Sequence, residues 1–167
     1  MQRTIASILL AAGMAALPVS AMAATKTSAT QSGQNIGGGF QGDYLFNLVA
    51  KPGYREAWAA LAARTDLPSW VSTATGPSSP SRLVFQDKRQ YELASSCKQH
   101  DCANNRLLVL FDKARKQAWG VWISIPDNVG ASDPMSRHAN ARYIWLGEPS
   151  GAIKSLLLAE LQSDPNW

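Results

Sequence analysis

The sequence predicts an α+β fold: a single domain in which five antiparallel strands form one sheet flanked by short helices, with a closed loop protruding from the sheet edge. Three observations predict it. Apolar runs of strand length recur between residues 82 and 146, each bounded by charged or turn-forming residues. Helical spacing appears toward the two ends, around Trp58 and around Leu157. Both cysteines fall in one hexapeptide, Cys97-Lys98-Gln99-His100-Asp101-Cys102, between two of the strand signals.

The chain opens with Arg3, a small-residue-rich apolar stretch from Ile5 to Val19, and Ala21-Met22-Ala23. This is the pattern of a signal peptide over residues 1–23 with an A-x-A cleavage site, and it implies a periplasmic or exterior destination. The apolar run is too short for a membrane span, and no cysteine lies near the cleavage site to carry a lipid, so no membrane anchor is expected. Residues 24–42 are Thr, Ser, Gln and Gly, including Gly37-Gly38-Gly39, and read as a flexible leader with too little apolar area to order.

The domain then spans residues 43–167. Tyr44 to Ala50 is a short helical candidate. Pro52 suits the first turn of a second helix, in which Tyr54, Trp58 and Leu61 recur on one apolar face. Leu67-Pro68-Ser69-Trp70-Val71 leads into a Ser/Pro/Gly loop ending near Ser81. Arg82–Gln86 and Gln90–Ser95 flank Asp87-Lys88-Arg89 as a hairpin. Leu107 to Phe111 is apolar on both faces, as a central strand buried on each side requires. From Ala118 to Ile125 the residues alternate, with Trp119, Val121, Ile123 and Ile125 on one face. Pro126 to Asn140 is rich in loop formers, and Arg142 to Leu146 makes the fifth strand. A helix around Ile153, Leu156, Leu157 and Leu161 closes the sheet before Pro165. The hexapeptide therefore sits at the tip of the hairpin joining the second and third strands.

Losing Arg3 from 16 basic residues leaves 15 against 12 acidic, a formal charge of +3. So small an excess establishes no nucleic-acid or membrane-surface partner. Lys88-Arg89 and the basic run Lys113 to Lys116 lie between apolar runs, where charge keeps hairpin turns soluble.

The hexapeptide admits several chemistries. In an oxidising compartment two cysteines and no third leave one pairing, Cys97 with Cys102. A redox centre normally spaces its cysteines by two residues, and here four intervene. Zinc needs four ligands where Cys97, His100 and Cys102 offer three, and oxidation would consume two of those; no metal or cofactor is expected. Catalysis by His100 would need an oriented nucleophile or carboxylate, and no Gly-x-Ser-x-Gly or His-Glu-x-x-His pattern occurs, so the chain is read as a non-enzyme. A loop that merely staples a hairpin and one that presents Lys98, Gln99, His100 and Asp101 to a partner both remain open. Trp58, Trp70, Trp119, Trp122, Trp145 and Trp167 raise the alternative of a peptidoglycan- or carbohydrate-binding module, although aromatics at these spacings belong by default to a core. His138 reads as a solvated loop histidine.

The hexapeptide resembles the Cys-Lys-Pro-His-Asp-Cys loop of the inhibitor of vertebrate lysozyme family, with Gln99 in place of the proline. Leu67-Pro68-Ser69-Trp70-Val71 is similar to that family's Leu-Pro-x-Trp-Val, and Tyr91–Ser96, Arg106–Leu110, Gly120 and the closing helix follow in register. The resemblance covers most of the chain after Asp43. It implies a periplasmic protein inhibitor of c-type lysozyme and suggests a homodimer. Its plug would be Lys98, His100 and Asp101 held by Cys97 and Cys102, with His100 meeting the enzyme's catalytic carboxylates. Gln99 loosens the loop relative to proline, or marks a different target such as a lytic transglycosylase of the bacterium itself.

Overall fold

A strand that is apolar on both faces needs cover on both sides, and β3 (Asn105–Asp112) receives it. In the computed structural model, which describes residues 42–64, 66–129 and 134–167, it is the middle strand of one antiparallel sheet ordered β1-β2-β3-β4-β5. The others are β1 (Ser78–Gln86), β2 (Arg89–Cys97), β4 (Gln117–Ser124) and β5 (Arg142–Leu146). Strand order follows chain order: short connections join β1 to β2, β2 to β3 and β3 to β4, and a longer one with its own helix leads to β5. The signal peptide over 1–23 and all of the leader but Gly42 lie outside the described residues.

Helices cover both faces. On one side α1 (Leu45–Leu48), α2 (Tyr54–Ala62) and α3 (Ser69–Ser72) pack Leu48, Trp58, Leu61 and Val71 onto Leu107, Val109 and Phe111. On the other, α5 (Gly151–Gln162) packs Ile153, Leu157 and Leu161 onto Leu93, Leu110, Val121 and Ile123. The odd residues of β3 thus serve one core and Leu110 the other, which is the period of two at work. A polar tie crosses the first interface: the Tyr54 hydroxyl and Ser81 Oγ (2.6 Å) both donate to the buried Glu92 carboxylate. Burial and then the Glu92 bond push the Tyr54 hydroxyl far above its ordinary range, so it stays a donor.

Four boundaries differ from expectation. Gly53, at φ 87°, caps α2, and its amide donates to Glu56 at 2.6 Å; the positive φ breaks the helix from Pro52, which lies outside it. The segment after Pro68 is not all loop: α3 is one turn, held by Val71 with no exposed surface and by the Thr73 hydroxyl donating to the Ser69 carbonyl at 2.6 Å. β1 starts at Ser78 rather than Arg82, because Ser78 and Ser79 pair with Ser96 and Ser95 before a register break that accommodates Pro80 on this edge strand. Pro134–Asn140 forms a helix, α4, inside the stretch expected to be loop. No helix among the described residues is long and apolar enough to cross a membrane.

Candidate functional site

Cys97 is the last residue of β2 and pairs with Arg106 of β3; the Lys98 amide adds one more ladder bond to the Asn105 carbonyl at 3.1 Å. Beyond that bond the strands part, and the Cys97–Cys102 disulfide, with Cα atoms 4.8 Å apart, closes the loop. Inside it the Asp101 amide donates to the Lys98 carbonyl at 2.9 Å, making a four-residue turn with Gln99 and His100 at its centre. His100 has φ 64° and Gln99 does not share the positive value, which is the type II pattern. Histidine is among the side chains that tolerate this region best after glycine.

The loop divides its residues by task. Asp101 turns inward: its Oδ2 accepts from Lys98 Nζ at 3.1 Å and from Asn105 Nδ2 at 2.8 Å, and its carbonyl accepts the Asn105 amide at 3.0 Å. Burial by itself would raise the Asp101 carboxyl. The bonds from Lys98 and Asn105, the Lys98 charge and the Asn104 side chain outweigh it and hold the group below its ordinary range. Lys98, Gln99 and His100 are exposed, and the loop's side-chain hydrogen bonds end on Lys98 and Asp101. The imidazole therefore stands at the tip of a stapled, internally bonded turn.

The foot is fixed to the sheet and to the residues that flank it. Asn105, only 9% exposed, accepts from the Trp122 indole at 3.3 Å, and the Ile125 amide donates to the Asn104 carbonyl at 2.8 Å. On the β1 side the Cys97 amide donates to the Pro77 carbonyl at 2.9 Å. This close approach requires Gly76, since a Cβ there would lie 2.1 Å from the Cys97 carbonyl oxygen. Beside the loop, Trp70, Trp122, Lys98, Asn105 and Asp127 line an open groove of about 590 Å³.

Lys98, Gln99, His100, Asp101 and both cysteines thus come together as the sequence placed them. His138 does not stay a solvated loop residue: it lies on α4, half-buried, with its ring stacked on Trp167 at 4.6 Å. Core packing accounts for the tryptophans. Trp58, Trp70 and Trp122 pack against one core, and Trp119, Trp145 and Trp167 against the other. Sequence reasoning missed Gly76, Asn105 and Arg106, whose roles depend on partners far along the chain. The alternation of β3 marks Asn105 as inward and polar, which is the one signal that could have flagged it.

Residues 53–157 match the family model described as inhibitor of vertebrate lysozyme. A protein of Pseudomonas aeruginosa named inhibitor of vertebrate lysozyme is 46% identical over 124 residues, covering 74% of this chain and 80% of that one. An uncharacterized protein of Yersinia pestis is 36% identical over 124 residues, covering 74% and 79%, and a second Pseudomonas aeruginosa protein, also uncharacterized, is 34% identical over 129 residues, covering 75% and 82%. The matched span holds the sheet, most of α5 and the whole disulfide loop. The chain belongs to the inhibitor of vertebrate lysozyme family.

Proposed function

We propose that this protein is a periplasmic inhibitor of c-type lysozyme that inserts the Cys97–Cys102 loop into the catalytic cleft, with His100 between the two catalytic carboxyls. The observation that carries the reading is the exposed His100 imidazole at the apex of a turn closed by a disulfide and bonded internally through Asp101. Family membership and a relative named for lysozyme inhibition support it. The signal-peptide pattern and the disulfide support the compartment.

The physical fit is direct. A retaining glycosidase holds its carboxyl groups roughly 5–5.5 Å apart. An imidazole offers a nitrogen on each of two edges, so one ring bridges such a pair and fills the space the scissile bond needs. Protonated, it donates from both nitrogens, and bonds between charged groups are the stronger kind. Because the loop is preorganised, little ordering entropy is lost when it docks. The protein binds the enzyme as a stoichiometric blocker and turns nothing over.

Titrating c-type, g-type and i-type lysozymes and a lytic transglycosylase with the purified protein tests this. Stoichiometric loss of activity is expected for the c-type enzyme. His100→Asn keeps a side chain that tolerates the positive φ while removing the imidazole, and should weaken inhibition by about 30-fold or more, the ~2 kcal/mol of an interface hot spot. Inhibition unchanged by that substitution, or by reduction of the disulfide, would defeat the proposed mechanism.

A further inference from the structure

The disulfide sets the inner shape of the loop but not the direction in which it points, because a closed ring can still tilt on its stem. The entry limb is fixed by the sheet, through the pairing of Cys97 with Arg106. The exit limb, Cys102 and Ala103, lies outside the strands. Its two carbonyls are instead taken up by guanidinium groups: Arg106 Nε donates to the Cys102 carbonyl at 3.1 Å, and Arg137 Nη2 to the Ala103 carbonyl at 2.7 Å.

The Arg106 guanidinium contacts the C-terminal tail directly, and α4, which carries Arg137, contacts it through His138. Arg106, whose side chain is 14% exposed, donates through Nη1 to Asp164 at 2.7 Å and through Nη2 to the Asn166 carbonyl, and its guanidinium lies 5.7 Å above the Trp167 ring. Arg137 is followed by His138, whose ring stacks on the other part of the circuit, Trp167, at 4.6 Å and 3°. Tyr143 of β5 meets Trp167 edge-on at 6.5 Å. The tail is itself folded into a turn, with the Trp167 and Asn166 amides donating to Asp164 at 3.0 and 2.8 Å. Loop, Arg106, tail, α4 and Arg137 close on one another.

We propose that residues 164–167 brace the loop, and that Arg106, Arg137 and Trp167 are positioning residues for target engagement. The inference rests on the reading of the loop as the plug. Charge-assisted bonds and a cation–π contact hold the carbonyls of a limb that lies outside the ladder and is tied to it at one point by the disulfide. The tail lies beyond the family match, which ends at residue 157; Trp167 packs on the edge of the α5 core, whereas Arg137 reaches the loop from outside both cores.

The experiment uses the full chain with Trp167→Ala, Trp167→Phe and Arg137→Ala, each also combined with His100→Asn. Three quantities are read: thermal midpoint, amide exchange of residues 98–105, and inhibition of c-type lysozyme. Trp167→Ala and Arg137→Ala should each speed exchange of the Asn104 and Asn105 amides and weaken inhibition by about tenfold, the scale of one charge-assisted hydrogen bond; the midpoint should stay near wild type in Arg137→Ala and fall in Trp167→Ala, which also loses its packing on the α5 core. Trp167→Phe, which keeps a ring for Arg106 and His138, should restore both. In the His100→Asn background the tail substitutions should weaken inhibition no further, since they act through His100. Unchanged loop exchange in Trp167→Ala and Arg137→Ala overturns the proposal. So does an equal loss with and without His100, which would mean that the tail touches the enzyme itself. If wild type inhibits nothing, or His100→Asn changes nothing, it is the plug reading that fails, and the exchange data still decide the brace.

Discussion

His100 holds φ 64° at the third position of its turn, while Gln99 before it keeps a negative φ and donates no backbone hydrogen bond. Lys98 before that is extended, still in ladder contact with Asn105. A proline at position 99 meets no obstacle in such a turn, where it is the favoured second residue. Gln99→Pro should therefore raise folding stability by ~0.4–1 kcal/mol, from entropy removed from the unfolded chain, and leave inhibition of c-type lysozyme at least as strong. Unfolding and inhibition curves of the two proteins compare this directly, and weaker inhibition by the proline variant would mean that the bound loop departs from this turn. Asp101 governs the same loop through its charge. Its carboxyl sits below its ordinary range in the folded chain, so its contribution is complete above the ordinary carboxylate value near ~4 and is lost as pH falls toward the lowered native value. Protection of the amides of residues 98–105, taken relative to the intrinsic exchange rate, should hold from neutral pH to about 5, then fall more than in the rest of the sheet below about 4. Protection that ignores pH there would remove Asp101 as the loop's internal anchor.

Among the elements, the β1–β2 hairpin shows how register overrides a local reading. The sequence suggests Asp87-Lys88-Arg89 as the turn, but Gln86 pairs with Arg89 and only Asp87 and Lys88 stay between the strands, at φ 49° and 64°. Two positive φ values make a type I′ turn, whose twist matches the strands it joins. Lysine has no side-chain means of relieving that conformation, unlike asparagine or glycine. Lys88→Gly should raise stability by about 1 kcal/mol, read as a higher midpoint in urea with an unchanged slope. A lowered midpoint would mean that the exposed Lys88 side chain matters more than its backbone. The two short helices were hidden for related reasons. α3 is a single turn kept by the burial of Val71 and by serine and threonine hydroxyls, and α4 lies in a stretch whose composition reads as loop. Neither carries enough repeated apolar spacing to announce itself, because periodicity needs several turns to show.

At the scale of the whole molecule, charge and architecture set different things. The chain is formally +4, and c-type lysozymes are generally basic, so long-range forces oppose the proposed encounter while local complementarity in the cleft drives it. Raising salt should screen that repulsion and increase the association rate, the reverse of an electrostatically steered pair. A rate that falls with added salt, measured by stopped flow against the c-type enzyme, would show that a local charged patch outweighs the net charge. The architecture was largely legible. The doubly apolar run of β3, the alternation of β4 and the helical spacing of α2 and α5 are local patterns, and each appears where the sequence placed it. The hexapeptide was legible for the same reason, since a spacing of two cysteines and a histidine is complete within six residues.

The residues alone therefore determined the five antiparallel strands, the two apolar faces of the central strand and the place of a cysteine-closed loop at a hairpin tip. Each depends on neighbours in the chain. Tertiary structure decided the rest: that Asp101 turns inward to Asn105, that Gly76 must yield its side chain to Cys97, and that His138 stacks on Trp167. It also set Arg106 against Asp164, 58 positions away, and Arg137 against Ala103, 34 away. Hydrogen bonds and ring contacts act over a few ångströms in space, and separations of that length along the chain leave no periodic mark in the sequence from which they could be read.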